Sequence, residues 1–76
     1  MNEQILTRVR QIAGDVLEAD VNADSTPATV ETWDSVKHLT LMLALEEEYG
    51  FELLPEEMDE AKSIEQIAHL VASKRG

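Results

Sequence analysis

The chain has 76 residues, no cysteine, and 16 acidic against 6 basic residues, for a formal net charge of −10. That length makes one small domain, 1–76, which buries only about 60% of its unfolded surface, so modest stability is expected. The charge argues against nucleic acid and anionic membrane surfaces as partners, because both are met with Lys and Arg; the missing cysteine excludes disulfides, a thiol nucleophile and Cys-ligated zinc.

No apolar run approaches the ~20 residues of a membrane span. Met1-Asn2-Glu3-Gln4 lacks the basic start of a signal peptide, so a cytoplasmic location is the default expectation. An acidic surface suits partners with basic patches, met by electrostatic steering.

Asn2 is placed to cap a first helix. Ile5, Leu6, Val9, Ile12, Ala13, Val16 and Leu17 then recur at helical spacing, which makes them core rather than chemistry. Gly14 weakens this helix slightly. From Glu18 to Asp34 runs a long connection that Pro27 keeps from being one helix, with Val21, Val30 and Trp33 as its expected anchors to the core.

Within that connection Asp20, Asn22, Asp24 and Glu31 match positions 1, 3, 5 and 12 of an EF-hand calcium loop. Two structural positions fail. Ser25 stands where the sharp turn needs glycine, and Pro27 lacks the backbone N–H that its position requires. A selective calcium site is therefore not expected, and no metal ligand is assigned.

Val36 to Tyr49 reads as a helix of about four turns, stopped by Gly50. Ser35 stands where an N-cap belongs, at the positive end of the helix, where the free N–H groups favour an anion. Leu41, Leu45 and Tyr49, with Met42 beside them, form one apolar stripe. Val36, Leu39 and Leu43 form a second, roughly opposite. One stripe serves a core; the second is buried too or offered to a partner beside Ser35.

Phe51-Glu52-Leu53-Leu54 is expected to be an extended cover for the core. Pro55 suits the first position of a short third helix, with Glu56 and Glu57 in its first turn and Met58 and Ala61 facing inward. Ser63 and Gln66 make a capping box for a last helix bearing Ile64, Ile67, Ala68 and Val71 on one face and Leu70 close by, with Lys74 and Arg75 at its C-terminal end. The predicted fold is all-α: a four-helix bundle of three main helices and one short one, with a long first loop.

Asp34, Ser35, His38 and His69 raise the question of a hydrolase. There is no G-x-S-x-G elbow and no Gly-rich oxyanion loop, so no catalytic residue is assigned. His38 and His69 read as a helix-face and a surface histidine, and Glu46-Glu47-Glu48 as a solvated helix face rather than a cation site.

Asp34-Ser35-Val36, the helix running into Glu46-Glu47-Glu48-Tyr49, and Phe51-Glu52-Leu53-Leu54-Pro55-Glu56-Glu57 together resemble the acyl carrier protein family over nearly the whole chain. The family motif is Asp-Ser-Leu; here Val36 replaces the leucine. The resemblance implies a monomeric carrier, not an enzyme. Ser35 would bear 4′-phosphopantetheine, attached from coenzyme A by a phosphopantetheinyl transferase that Asp34 helps to dock. The arm would present an acyl or aminoacyl thioester to loading and processing enzymes, and the core between the helices would shelter an acyl chain. Val36, Lys37, Leu39, Thr40, Leu43 and Glu47 would meet those partners.

Family members serving general fatty acid synthesis keep acidic residues just after the serine, where this chain has Lys37 and Thr40; acidity returns at Glu46 to Glu48. That difference resembles stand-alone carriers of specialised pathways more than the fatty acid type. Two other readings stand beside the carrier: an EF-hand-like calcium binder, and an acidic helical interaction module that uses Ser35 only as a cap.

Overall fold

A computed structural model describes residues 3–75, apart from the Arg75 side chain. The expected Asn2 cap and the role of the Arg75 side chain lie outside the described residues. The elements are α1 (Glu3–Leu17), α2 (Ser35–Tyr49), α3 (Pro55–Glu60) and α4 (Ile64–Arg75), with no strand among the described residues. This is the predicted four-helix architecture with its long first loop.

α1 is organised by one residue in four. Ile5, Val9, Ala13 and Leu17 are buried, and Leu6, Ile12 and Val16 flank them at partial burial. That stripe lets α1 pack against both α2 and α4. The helix stops because Glu18 turns left-handed, at φ 55°, and the Ala19 N–H bonds back to the Gly14 carbonyl at 3.3 Å. A methyl group on Gly14 would meet the Ala19 carbonyl oxygen at 3.3 Å, so this glycine makes room for the chain reversal it precedes.

The first loop is tied down at several points. Val21, Val30 and Trp33 are buried, as expected. Thr32 Oγ1 donates to the Leu17 carbonyl at 2.6 Å. The Ile64 and Glu65 N–H groups, otherwise without partners at the start of α4, bond to the Ser25 and Ala23 carbonyls at 3.1 and 3.0 Å. Those bonds join the loop to the last helix and explain how a long irregular segment keeps a defined path.

α2 buries Leu41, Met42 and Leu45. It ends at Gly50, whose φ of 70° is left-handed and whose N–H reaches the Glu46 carbonyl at 2.8 Å. The Glu46 side chain then accepts the Leu53 N–H at 2.7 Å, which seats buried Leu53 after the turn. Glu48 binds Arg8 of α1 through two bonds of 3.0 and 3.2 Å. The acidic run is thus not a uniformly solvated face: Glu46 and Glu48 hold structure and Glu47 is exposed. The periodicity places all three on the helix but does not show the neighbours that α1 and the turn bring to them.

Pro55 opens α3 as predicted. The Glu57 carboxylate accepts the Leu54 N–H at 2.9 Å and pairs with Lys74 of α4 at 2.8 Å. Lys74 holds the Glu57 carboxyl below its ordinary range, helped by the Leu54 N–H. Met58 is half-buried and Ala61 buried. Ser63 Oγ accepts the Gln66 N–H at 3.1 Å, but Gln66 Oε1 reaches Lys62 N at 2.9 Å, one residue beyond the expected box partner. Ile64, Ile67, Ala68 and Val71 fill the core side of α4.

Candidate functional site

Two polar residues compete for the start of α2, and Asp34 takes the N-cap. It is extended, at φ −102° and ψ −173°, and its Oδ1 accepts the Lys37 N–H at 2.8 Å. Ser35 is therefore the first helical residue, not the cap that the spacing predicted. The physical reason is charge: a carboxylate makes the stronger bond to the third N–H and gains more from the helix dipole than a hydroxyl does. The consequence is that the Ser35 hydroxyl is left exposed and free of capping.

A groove of about 470 Å³ opens beside this serine, lined by Pro27, Trp33, Asp34, Ser35, His38, Asp59 and Lys62. It brings together the first loop, the head of α2, the end of α3 and the link to α4. A larger depression, about 740 Å³, lies beside Arg10, Asp15 and Glu18, away from Ser35. Size does not decide between them, because only the smaller one has an exposed hydroxyl at a helix N-terminus.

His38 is not merely a helix-face residue. It is half-buried, accepts the Trp33 indole N–H on Nδ1 at 2.9 Å, and sets Nε2 2.7 Å from the Met58 carbonyl. The sequence offers one signal for this, a tryptophan and a histidine five positions apart across a helix start, but the α3 contact is tertiary. His69 is exposed on α4, as expected.

The second stripe of α2 stays uncovered. Val36 is 71% exposed and Leu39 and Leu43 each 50%, and Leu54, at the head of α3, adds a further 55% exposed side chain. Leu54 was not among the residues expected there. Thr40 is exposed, with its Oγ1 donating to the Val36 carbonyl at 2.9 Å; Lys37 is half-buried and Glu47 exposed.

The candidate calcium loop has a different arrangement. Asn22 Oδ1 accepts the Asp24 N–H at 2.9 Å, and the Ser25 hydroxyl accepts the Asn22 N–H at 2.9 Å, closing a turn. Among the described residues no group of three or more His, Asp or Glu side chains is placed to hold a metal ion. Likewise, no helix of the described residues is long and apolar enough to cross a membrane.

Four helices in this order place an exposed serine at the first position of α2, beside a groove. Comparison with known proteins gives the class to which such a chain belongs. Residues 7–71 match the phosphopantetheine attachment site family. An acyl carrier protein of Thermosynechococcus vestitus is 32% identical over 78 residues, covering 97% of this chain and 96% of that one. The solution structure of holo acyl carrier protein from Geobacter metallireducens, 24% identical, superposes with a TM-score of 0.80 over 91% of this chain and 83% of that one, and shows the same fold. The chain belongs to the acyl carrier protein family, whose members are carriers rather than enzymes and work with a phosphopantetheinyl transferase and acyl-processing enzymes.

The family's group is 4′-phosphopantetheine, and the residues present fit it. The start of α2 offers N–H groups and a dipole that favour a phosphodiester. An exposed serine stands at its first position, and Lys62 is among the residues that line the groove beside it.

Proposed function

We propose that this chain acts as a single carrier domain in which Ser35 bears 4′-phosphopantetheine, and that it delivers acyl or aminoacyl thioesters in a specialised biosynthetic pathway. The observation that carries the reading is the division of labour at the head of α2: Asp34 caps the helix, and the adjacent Ser35 hydroxyl is exposed at its first position. When bound, the group supplies the thiol that this cysteine-free chain lacks. Ser35 anchors it, the first-turn N–H groups stabilise its charge, and Asp34, exposed beside Ser35, helps to dock the loading transferase. A cytoplasmic setting suits loading from coenzyme A.

Partner enzymes meet Val36, Leu39 and Leu43, an uncovered apolar stripe that starts beside the serine. Lys37, Thr40 and Glu47 on the same helix set the charge those partners encounter. A basic residue and a neutral one near the serine disfavour partners built to read acidic side chains there. An acyl chain sheltered in the core would have to part Leu41, Met42, Leu45, Ile64 and Ile67, all fully buried.

The test is intact mass after incubation with coenzyme A, magnesium and a promiscuous phosphopantetheinyl transferase. Wild type should gain one phosphopantetheine, and Ser35→Ala should stay unmodified while folded. Unchanged wild-type mass under conditions that load a control carrier, or loading of Ser35→Ala, overturns the assignment.

A further inference from the structure

The contact between Trp33 and His38 has a chemical consequence beyond the carrier reading. An indole N–H only donates, so the His38 Nδ1 that accepts it at 2.9 Å must hold a lone pair. The neutral ring then carries its proton on Nε2. The Met58 carbonyl, 2.7 Å from Nε2, only accepts, and fits the same tautomer. One imidazole therefore ties the residue ahead of Asp34 and Ser35 to α3. The two rings lie 23° from parallel with centroids 5.9 Å apart, and both line the groove that Ser35 opens onto.

We propose that His38, as the neutral imidazole protonated on Nε2, is the positioning residue of the groove beside Ser35, and that taking up a proton releases Trp33 and reshapes that groove. A protonated imidazole is a donor at both nitrogens, so two N–H groups would face each other across the present bond. Trp33 is 2% exposed and held by the core, whereas His38 is only half-buried, so the imidazole is the freer of the two rings. The imidazole therefore swings, and gives up Met58 as well. The charged groups facing the groove are Asp34 at the head of α2, Asp59 on α3 and Lys62 on the link to α4. The two carboxylates give a released imidazolium somewhere to turn. α3 keeps its other tie, the 2.8 Å Glu57–Lys74 pair, so the rearrangement is confined to the Ser35 side. Its effect on loading rests on the assignment of Ser35; the latch itself does not.

The experiment uses the full chain without its prosthetic group. Imidazole 15N shifts above the His38 titration should report the Nε2–H tautomer. As pH falls, the indole N–H resonance of Trp33, the single tryptophan, should move upfield and its fluorescence should drop, both in step with the His38 ring protons. His69, exposed on α4, should titrate without moving either signal. In His38→Gln the amide oxygen can accept from Trp33 and the NH2 can donate to Met58, so the Trp33 signals should stay flat. A tautomer protonated on Nδ1, or Trp33 signals that stay flat while wild-type His38 titrates, overturns the latch. For the consequence at Ser35, the transferase KM for wild type relative to His38→Gln should rise as pH falls through the His38 titration, with the kcat ratio unchanged; a constant KM ratio overturns the positioning role. Failure of Ser35 to load is read separately, by mass.

Discussion

The Asp34 carboxylate accepts the Lys37 N–H at 2.8 Å, and the neighbouring Ser35 is thereby relieved of capping the helix it begins. Two adjacent residues, both good N-caps, divide one structural and one chemical task. Replacing either should separate the two.

Asp34→Ala should destabilise the fold by about 1 kcal/mol, the usual effect of losing an N-cap, while Asp34→Asn, which still caps, should lose much less. Ser35→Ala should stay within about 0.5 kcal/mol of wild type, as a substitution at an exposed position away from any cap does. Urea midpoints measure all three. If Ser35→Ala proves as damaging as Asp34→Ala, the serine is a cap after all.

Glu18 and Gly50 test the helix ends. Both are left-handed, at φ 55° and 70°. A side chain in that region is strained by about 1 kcal/mol, so Glu18→Gly should raise stability by up to that amount. Gly50→Ala should lower it by about 1–2 kcal/mol. No side chain crowds the Gly50 position, so the loss there is one of backbone conformation alone. Thermal or urea melts that show Glu18→Gly destabilised would mean that the Glu18 side chain contributes more than its strain costs.

The Glu57–Lys74 pair sets a pH dependence. Lys74 first, and then the Leu54 N–H, hold the Glu57 carboxyl below its ordinary value. A carboxyl lowered in the folded state adds stability that is present above its unfolded value and is lost as pH falls through the folded one. Glu57→Gln retains the side-chain oxygen for Leu54 but removes the charge. Its melting temperature should fall below wild type at pH 7, and the gap should close as the pH is lowered through the carboxylate range. A gap that widens in acid would contradict the sign.

The charge at the head of α2 is open to a direct exchange. If Lys37 and Thr40 exclude partners of general fatty acid synthesis, the loaded wild-type carrier should be a poor substrate for a housekeeping malonyl transferase. Lys37→Asp combined with Thr40→Glu should improve it, mainly through the association rate and with greater salt sensitivity. Wild-type activity equal to that of a housekeeping carrier would remove the case for a specialised pathway.

What the sequence determined by itself was local and periodic. The stripe from Ile5 to Leu17, the two stripes of the second helix, Gly50 as its stop and Pro55 as the opening of α3 follow from side-chain spacing and backbone preference, and all are present in the fold. The Asp34-Ser35 pair was legible as a helix start, but which of the two capped it was not, because that depends on where the carboxylate meets the third N–H. Tertiary structure alone decided the rest. It brought Arg8 to Glu48, Ser25 and Ala23 carbonyls to the head of α4, and the Met58 carbonyl to His38. Each joins groups far apart in the chain, with no period to announce them, and each exists only because burial of the apolar stripes sets the helices in one mutual arrangement.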